Sequence, residues 1–469
     1  MIEIESELQT KTIEDTKSEK LTKEQVFKKI FNAHKYGNLG MFIGSGFSKA
    51  VIGNDCVQKA LNWHELIKKV SNELELKFPE DKDLVGVSFP ELSTRLCKNL
   101  KIKRNIEYDE AKAIFKEKIC HITNWLPKDK NIEIYKEIFD GINPNWIITT
   151  NYDQVLETIL TGKCKSLNPR NYLSAQKGVI PIYHIHGTRI DRDSIIITQE
   201  DYIPLFRPNE YRQYKLAMTI RESTTLVLGY GLGDMNVLSA LDWSKNIYTE
   251  KNEYPYAIIQ VVWTESPDEY PYIDENDNII IEYNDIRDFL EELVVFLKDN
   301  TKTYNKKLEN INKLIGKLEE DEKMIEEFKN NRDFRFELLE YLSEYEYNIM
   351  APYIEFFRRC IDNIWSETYT SFELYDTYLC ILFDIILNYE FKKMPPRLFQ
   401  IIAERLNKVL YYVGESKYKK YYGESWSATD TWHNHKKEIA SDMILELYSY
   451  ARENRLSNLR HFTEKLKDK

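Results

Sequence analysis

No stretch of this chain is apolar for long enough to cross a bilayer. A span needs roughly 20 apolar residues, and the most apolar stretch, Tyr378 to Leu387, is half that length and contains Asp384. The amino terminus is polar and Lys/Glu-rich, without the hydrophobic region of a secretory signal. A cytoplasmic location, away from membranes, is the expectation. Cysteine is scarce. The six residues Cys56, Cys97, Cys120, Cys164, Cys360 and Cys380 are scattered over 469 positions, and no two form a CxxC pair. A disulfide framework or a zinc ribbon is therefore not expected, and isolated thiols packing as small hydrophobes are. A basic excess is also missing: 65 Lys and Arg stand against 76 Asp and Glu, a net charge of -11. Broad binding to nucleic acid would need the opposite balance. No repeat period or low-complexity tract is evident.

With 42% apolar and 30% charged residues, the chain has the balance of a globular protein. Its length suits two or three domains. Residues 1–36 read as a frayed arm and a helix; Thr22 and Gln25 have capping-box spacing ahead of Val26, Phe27, Ile30 and Phe31. Over residues 37–300, short apolar runs close on Gly, Ser, Thr or Asn: Leu39–Ile43, Trp146–Thr149, Ile182–Ile185, Ile195–Ile197, Thr225–Leu228 and Ala257–Val262. Such runs suit strands buried on both faces of a parallel sheet. Amphipathic stretches alternate with them, so the class is α/β, a Rossmann-like doubly wound parallel sheet. The wide, mostly helical interval from Ser48 to Asn145 suggests an insertion over the sheet's carboxyl edge. From 301 to 469 the strands stop. Leu308, Ile311, Ile315 and Leu318 suit an amphipathic or coiled-coil helix, and an all-α domain follows.

Four places combine a strand end with chemistry. Leu39–Ile43 runs into Gly44-Ser45-Gly46-Phe47-Ser48, where glycines admit close approach and a following helix would aim N–H groups at a phosphate. Trp146–Thr149 runs into Asn151 and Asp153, where ligands sit in open α/β sheets; either residue could instead cap the next helix. Tyr183-His184-Ile185-His186-Gly187 places two histidines on one strand face. His186 stands at the strand's end, where an imidazole titrates usefully near neutrality, while His184 suits a structural role. A metal pair would need ligands beyond Asp191 and Asp193, and none is expected. Thr225–Leu228 opens into Gly229-Tyr230-Gly231, with Asp234 close behind. Each is an ordinary turn when taken singly; at one sheet edge the four would form one pocket.

Together these segments resemble the sirtuin superfamily over roughly residues 37–300. Gly44-Ser45-Gly46-Phe47-Ser48 is similar to its Gly-Ala-Gly-x-Ser phosphate turn. Thr150-Asn151-Tyr152-Asp153 is similar to its Gln-Asn-x-Asp segment, and His186-Gly187 to its catalytic His-Gly. Gly229-Tyr230-Gly231 resembles its later Gly-rich loop. The resemblance implies NAD⁺ as substrate, Asn151 and His186 as catalytic residues, and Gly44, Ser45, Gly46, Ser48, Asp153, Gly229, Gly231 and Asp234 as binding residues. The four-cysteine zinc module of the protein deacylases is missing, since Cys164 stands alone in that interval, so no zinc is expected. That departure and the helical tail are similar to sirtuin-like effectors of bacterial anti-phage systems. The implied activity is NAD⁺ hydrolysis to nicotinamide and ADP-ribose during abortive infection. A homo-oligomer or a partner defence protein, such as an ATPase or another sensor, would control it. An NAD⁺ or ADP-ribose sensor and an NAD-dependent protein deacylase are the alternatives.

Overall fold

The computed structural model describes residues 21–53, 58–168, 175–206, 211–231, 256–414 and 423–467. They fall into two compact units, one ending at Lys302 and the other beginning at Thr303.

In the first unit eight strands form one sheet: β1 (Leu39–Ile43), β2 (Trp146–Thr149), β3 (Cys164–Leu167), β4 (Ile180–His184), β5 (Thr224–Leu228), β6 (Ile258–Trp263), β7 (Tyr272–Ile273) and β8 (Ile279–Tyr283). Their order is β3-β4-β2-β1-β5-β6-β8-β7. Every pairing is parallel except β7 with β8. Because β2 lies on one side of β1 and β5 on the other, the winding reverses at β1. A crevice opens at the carboxyl ends of strands flanking such a switch point.

Burial explains which strands were legible. β1, β2 and β5 are buried at every position, so each is a continuous apolar run. β3 is only partly buried and β7 is exposed; neither has an apolar run, and they lie at the two sheet edges. Ile195–Ile197 corrects the strand expectation. It is not a strand, although all three isoleucines are buried, with Ile195 and Ile197 packing under the inserted helices. β4 ends at His184, so His186 lies beyond it in a turn rather than on the strand face.

One face of the sheet packs on the helices Lys23–Tyr36, Asp129–Ile142 and the start of Ile286–Glu320. Thr22 caps the first of these with Gln25 as its reciprocal partner. The insertion has its own core, in which Leu66, Ile67, Leu96, Phe115 and Ile119 meet Tyr152 from the sheet edge. Its helix Trp63–Glu73 starts at Asn62, which accepts the Glu65 N–H at 2.8 Å while Glu65 accepts the Asn62 N–H at 2.8 Å. Such a cap contributes about 1 kcal/mol and sets where Trp63 stands.

The second unit is helical. The helix Ile286–Glu320 runs without a break through the expected boundary at residue 300. Neither Pro nor Gly interrupts 299–304; Asp299, Lys302 and Thr303 are exposed there, and Asn300 and Thr301 are half-buried. Ile311 and Leu318 enter the apolar core of this unit instead of a coiled-coil seam. Its helices include Arg332–Glu344 and Glu346–Glu367, which meet at Tyr345, and Ser441–Glu453. Asp384 is buried there between Arg335 and Arg332, at 2.8 and 2.9 Å. Among the described residues no helix is long and apolar enough to cross a membrane.

Candidate active site

The turn after β1 and the turn after β5 are built into each other. Gly44 donates its N–H to the Leu228 carbonyl and Gly46 to the Gly229 carbonyl, both at 2.9 Å. A Cβ on Gly46 would lie 2.8 Å from the Gly229 Cα, and one on Gly44 2.5 Å from the Gly229 oxygen. Gly229 has φ +59°, and a Cβ there would lie 2.2 Å from the Phe47 nitrogen. Close backbone packing therefore requires these three glycines. Of Gly44, Ser45 and Gly46, whose backbone N–H groups are expected to hold a diphosphate, Gly44 and Gly46 have theirs engaged inside the protein. In the first turn of helix Ser45–Ile52, Phe47 donates to Gly44. Ser45 is the residue of this turn that lines the crevice.

Ser48 sits behind the crevice, almost fully buried. Its hydroxyl donates to the Asp153 carboxylate at 3.0 Å and accepts the Asn151 Nδ2–H at 3.0 Å. The chain of contacts sets which way the Asn151 amide faces. Asp153 also accepts the Val155 N–H at 3.1 Å, so it serves the next helix as well. Burial pushes its pKa up to about 6, against the lowering effect of the Val155 and Ser48 hydrogen bonds.

Beneath Asn151 lies His184, 1% exposed. Its Nδ1 stands 2.9 Å from the Asn151 carbonyl oxygen and its Nε2 2.6 Å from Glu157 Oε1. Two acceptors require two N–H donors, which only the imidazolium supplies. Burial opposes that charge, but the Glu157 carboxylate and the two hydrogen bonds outweigh it, and the net shift is upward. His184 is thus a structural histidine.

His186 is also buried, with Nε2 3.3 Å from the Tyr202 hydroxyl and its ring stacked on Trp63 at 5.7 Å. Gly187 holds the turn with φ +89°, and a Cβ there would meet the Ser194 carbonyl oxygen at 2.2 Å.

Ser45, Asn151, Asp153, His186, Gly229 and Gly231 surround one cavity of about 380 Å³, within the usual range for a small-molecule site. Gly44, Gly46 and Ser48 support it from behind, and Asp234 lies outside the described residues. The insertion supplies a wall that residue chemistry did not single out: Trp63, Phe89 and Trp125, with Asn62 and Thr123. Their signal was only the helical interval itself, since aromatics at helical spacing read as core. The indole N–H of Trp63 is buried without a hydrogen-bond partner among the described residues. Also among the described residues, no three His, Cys, Asp or Glu side chains converge as metal ligands. The cavity offers hydroxyl, amide, carboxylate and imidazole groups on one side and aromatic surface on the other.

A family model described as a SIR2-like domain matches residues 145–281. That stretch of this chain is thus similar to a SIR2-like domain. The matched segment holds Asn151, Asp153, His186 and the β5 turn, while the β1 turn lies ahead of it. Defense-associated sirtuin 2 of Bacillus subtilis is 24% identical over 127 residues, covering 25% of this chain and 12% of that protein. NAD(+) hydrolase ThsA of Acinetobacter baumannii (strain 532279) is 26% identical over 232 residues, 48% of this chain and 43% of that protein. The chain thus spans less than half the length of either curated relative. These likenesses bear out the resemblance to sirtuin-like defence proteins.

Proposed function

We propose that this chain is an NAD⁺ hydrolase that releases nicotinamide and ADP-ribose. The observation that supports this most is the meeting of Asn151, Asp153 and His186 around one cavity at the sheet's switch point. In this reading water attacks C1′ of the nicotinamide ribose. The bonding pair of the N–C1′ bond leaves with nicotinamide, and the water's proton passes to His186, directly or through a ribose hydroxyl. The transition state is oxocarbenium-like, as in glycoside cleavage. Asn151 would position nicotinamide or the water, and Asp153 the ribose. Ser45 would face the diphosphate, and Gly229 and Gly231 the adenosine half. We also propose a defence role, from the likeness to a defence-associated sirtuin, with Thr303–Lys469 serving regulation or self-assembly.

Purified full chain incubated with NAD⁺ would release nicotinamide and ADP-ribose, measured by chromatography. His186→Ala and Asn151→Ala should each slow release by about 10²-fold or more. Undiminished turnover by both variants, with folding verified, would overturn the assignment. Saturable NAD⁺ binding without turnover would favour the sensor.

A further inference from the structure

The helical unit contains a concavity formed entirely by its own residues. It measures about 340 Å³ and is lined by Arg452, Arg455, Ser457, Arg460, His461 and Glu464, with Ala451. It lies where the helix Ser441–Glu453 turns into Ser457–Glu464.

Among the described residues of this unit four arginines meet carboxylates, whereas Arg359, Arg397 and the three of the hollow do not. Arg332 and Arg335 meet Asp384, Arg358 meets Glu355, and Arg405 meets Asp362. Arg452, Arg455 and Arg460 meet no carboxylate among the described residues, in a chain of net charge -11 with acids to spare. Three guanidinium groups face one carboxylate, that of Glu464, an excess of two positive charges among these side chains. Arg455 also occupies a left-handed turn position, φ +58°, where Gly or Asn is the less costly choice.

Planar guanidinium forks match phosphate oxygens in pairs. The helix Ser457–Glu464 adds little, because Asn407 already accepts the Asn458 and Leu459 N–H groups at 3.0 and 3.1 Å. Recognition would rest on side chains. Among the described residues His461 is the one ring lining the hollow, and no large aliphatic residue joins it, so charge rather than apolar surface dominates the lining. Its concave form suits a compact anion better than a duplex.

We propose that this concavity binds the phosphate chain of a nucleoside di- or triphosphate without reading the base. Calorimetric titration of the full chain with ATP, GTP and inorganic tripolyphosphate tests it. All three should bind saturably with similar affinity, below about 1 mM, and weaken as salt screens the charges. Replacing Arg452, Arg455 and Arg460 together with Gln should weaken binding by at least about 10-fold; these exposed side chains leave the core untouched. Glu464→Gln should shift affinity the other way, several-fold tighter by order of magnitude. Overturning results would be no saturable binding by the wild type, or binding that survives the triple substitution and so belongs to another site. Tight binding of duplex DNA that none of the three probes displaces would also overturn it.

Discussion

Glu157→Gln tests the charged pair under the site. The substitution keeps the side chain's shape and removes its charge. His184, wholly buried, then loses the carboxylate that offsets the cost of its own charge. A neutral ring has one N–H for two acceptors, the residue-157 oxygen and the Asn151 carbonyl, so one lone pair must face another. Removing one member of a buried ion pair costs about 3–5 kcal/mol.

The pH dependence follows from the shifts. Despite burial, Glu157 is held below its ordinary 4.5 by the His184 charge and hydrogen bond. Its contribution is present above 4.5 and lost as pH falls through the folded value. His184 is raised above 6.5; its contribution is complete below 6.5 and lost as pH rises through the folded value. The pair therefore stabilises most between 4.5 and 6.5. Hydrogen exchange of the backbone in β2 and the following helix, with urea melts at about pH 5.5 and about pH 9, reads the loss. A penalty below about 1 kcal/mol, as for an exposed pair, or an equal penalty at both pH values would refute the assignment of a buried charged pair.

Gly187→Ala must open the turn that presents His186. A cost of about 1–3 kcal/mol and turnover reduced by about 10-fold or more are expected in melts and NAD⁺ assays. Trp63→Ala removes the ring stacked on His186 and one cavity wall; calorimetry should show NAD⁺ binding weakened about 10-fold. Asp384→Ala strands two arginines, one of them buried, and should destabilise the helical unit by about 3–5 kcal/mol, seen as faster exchange along Glu373–Asn388.

The sequence by itself determined the alternating α/β pattern, the central strands and the polar groups at their carboxyl ends. β1, β2 and β5 were legible because burial on both faces demands continuous apolar runs. Asn151, Asp153 and His186 were legible because polar residues directly after such runs stand at a sheet's edge. The edge strand β3 was not, since half-exposed residues carry no such pattern. Only the tertiary structure decided how the glycines act: whether an N–H is available depends on the neighbouring strand's carbonyl, here Leu228 or Gly229, more than 180 residues away. The same holds for His184, whose partner Glu157 comes from another element, and for Trp63, whose indole reads as helix core until the insertion folds over the sheet. Local sequence specifies which groups the backbone presents at each strand end. Which of them are already satisfied, and which remain for a ligand, depends on contacts between distant segments.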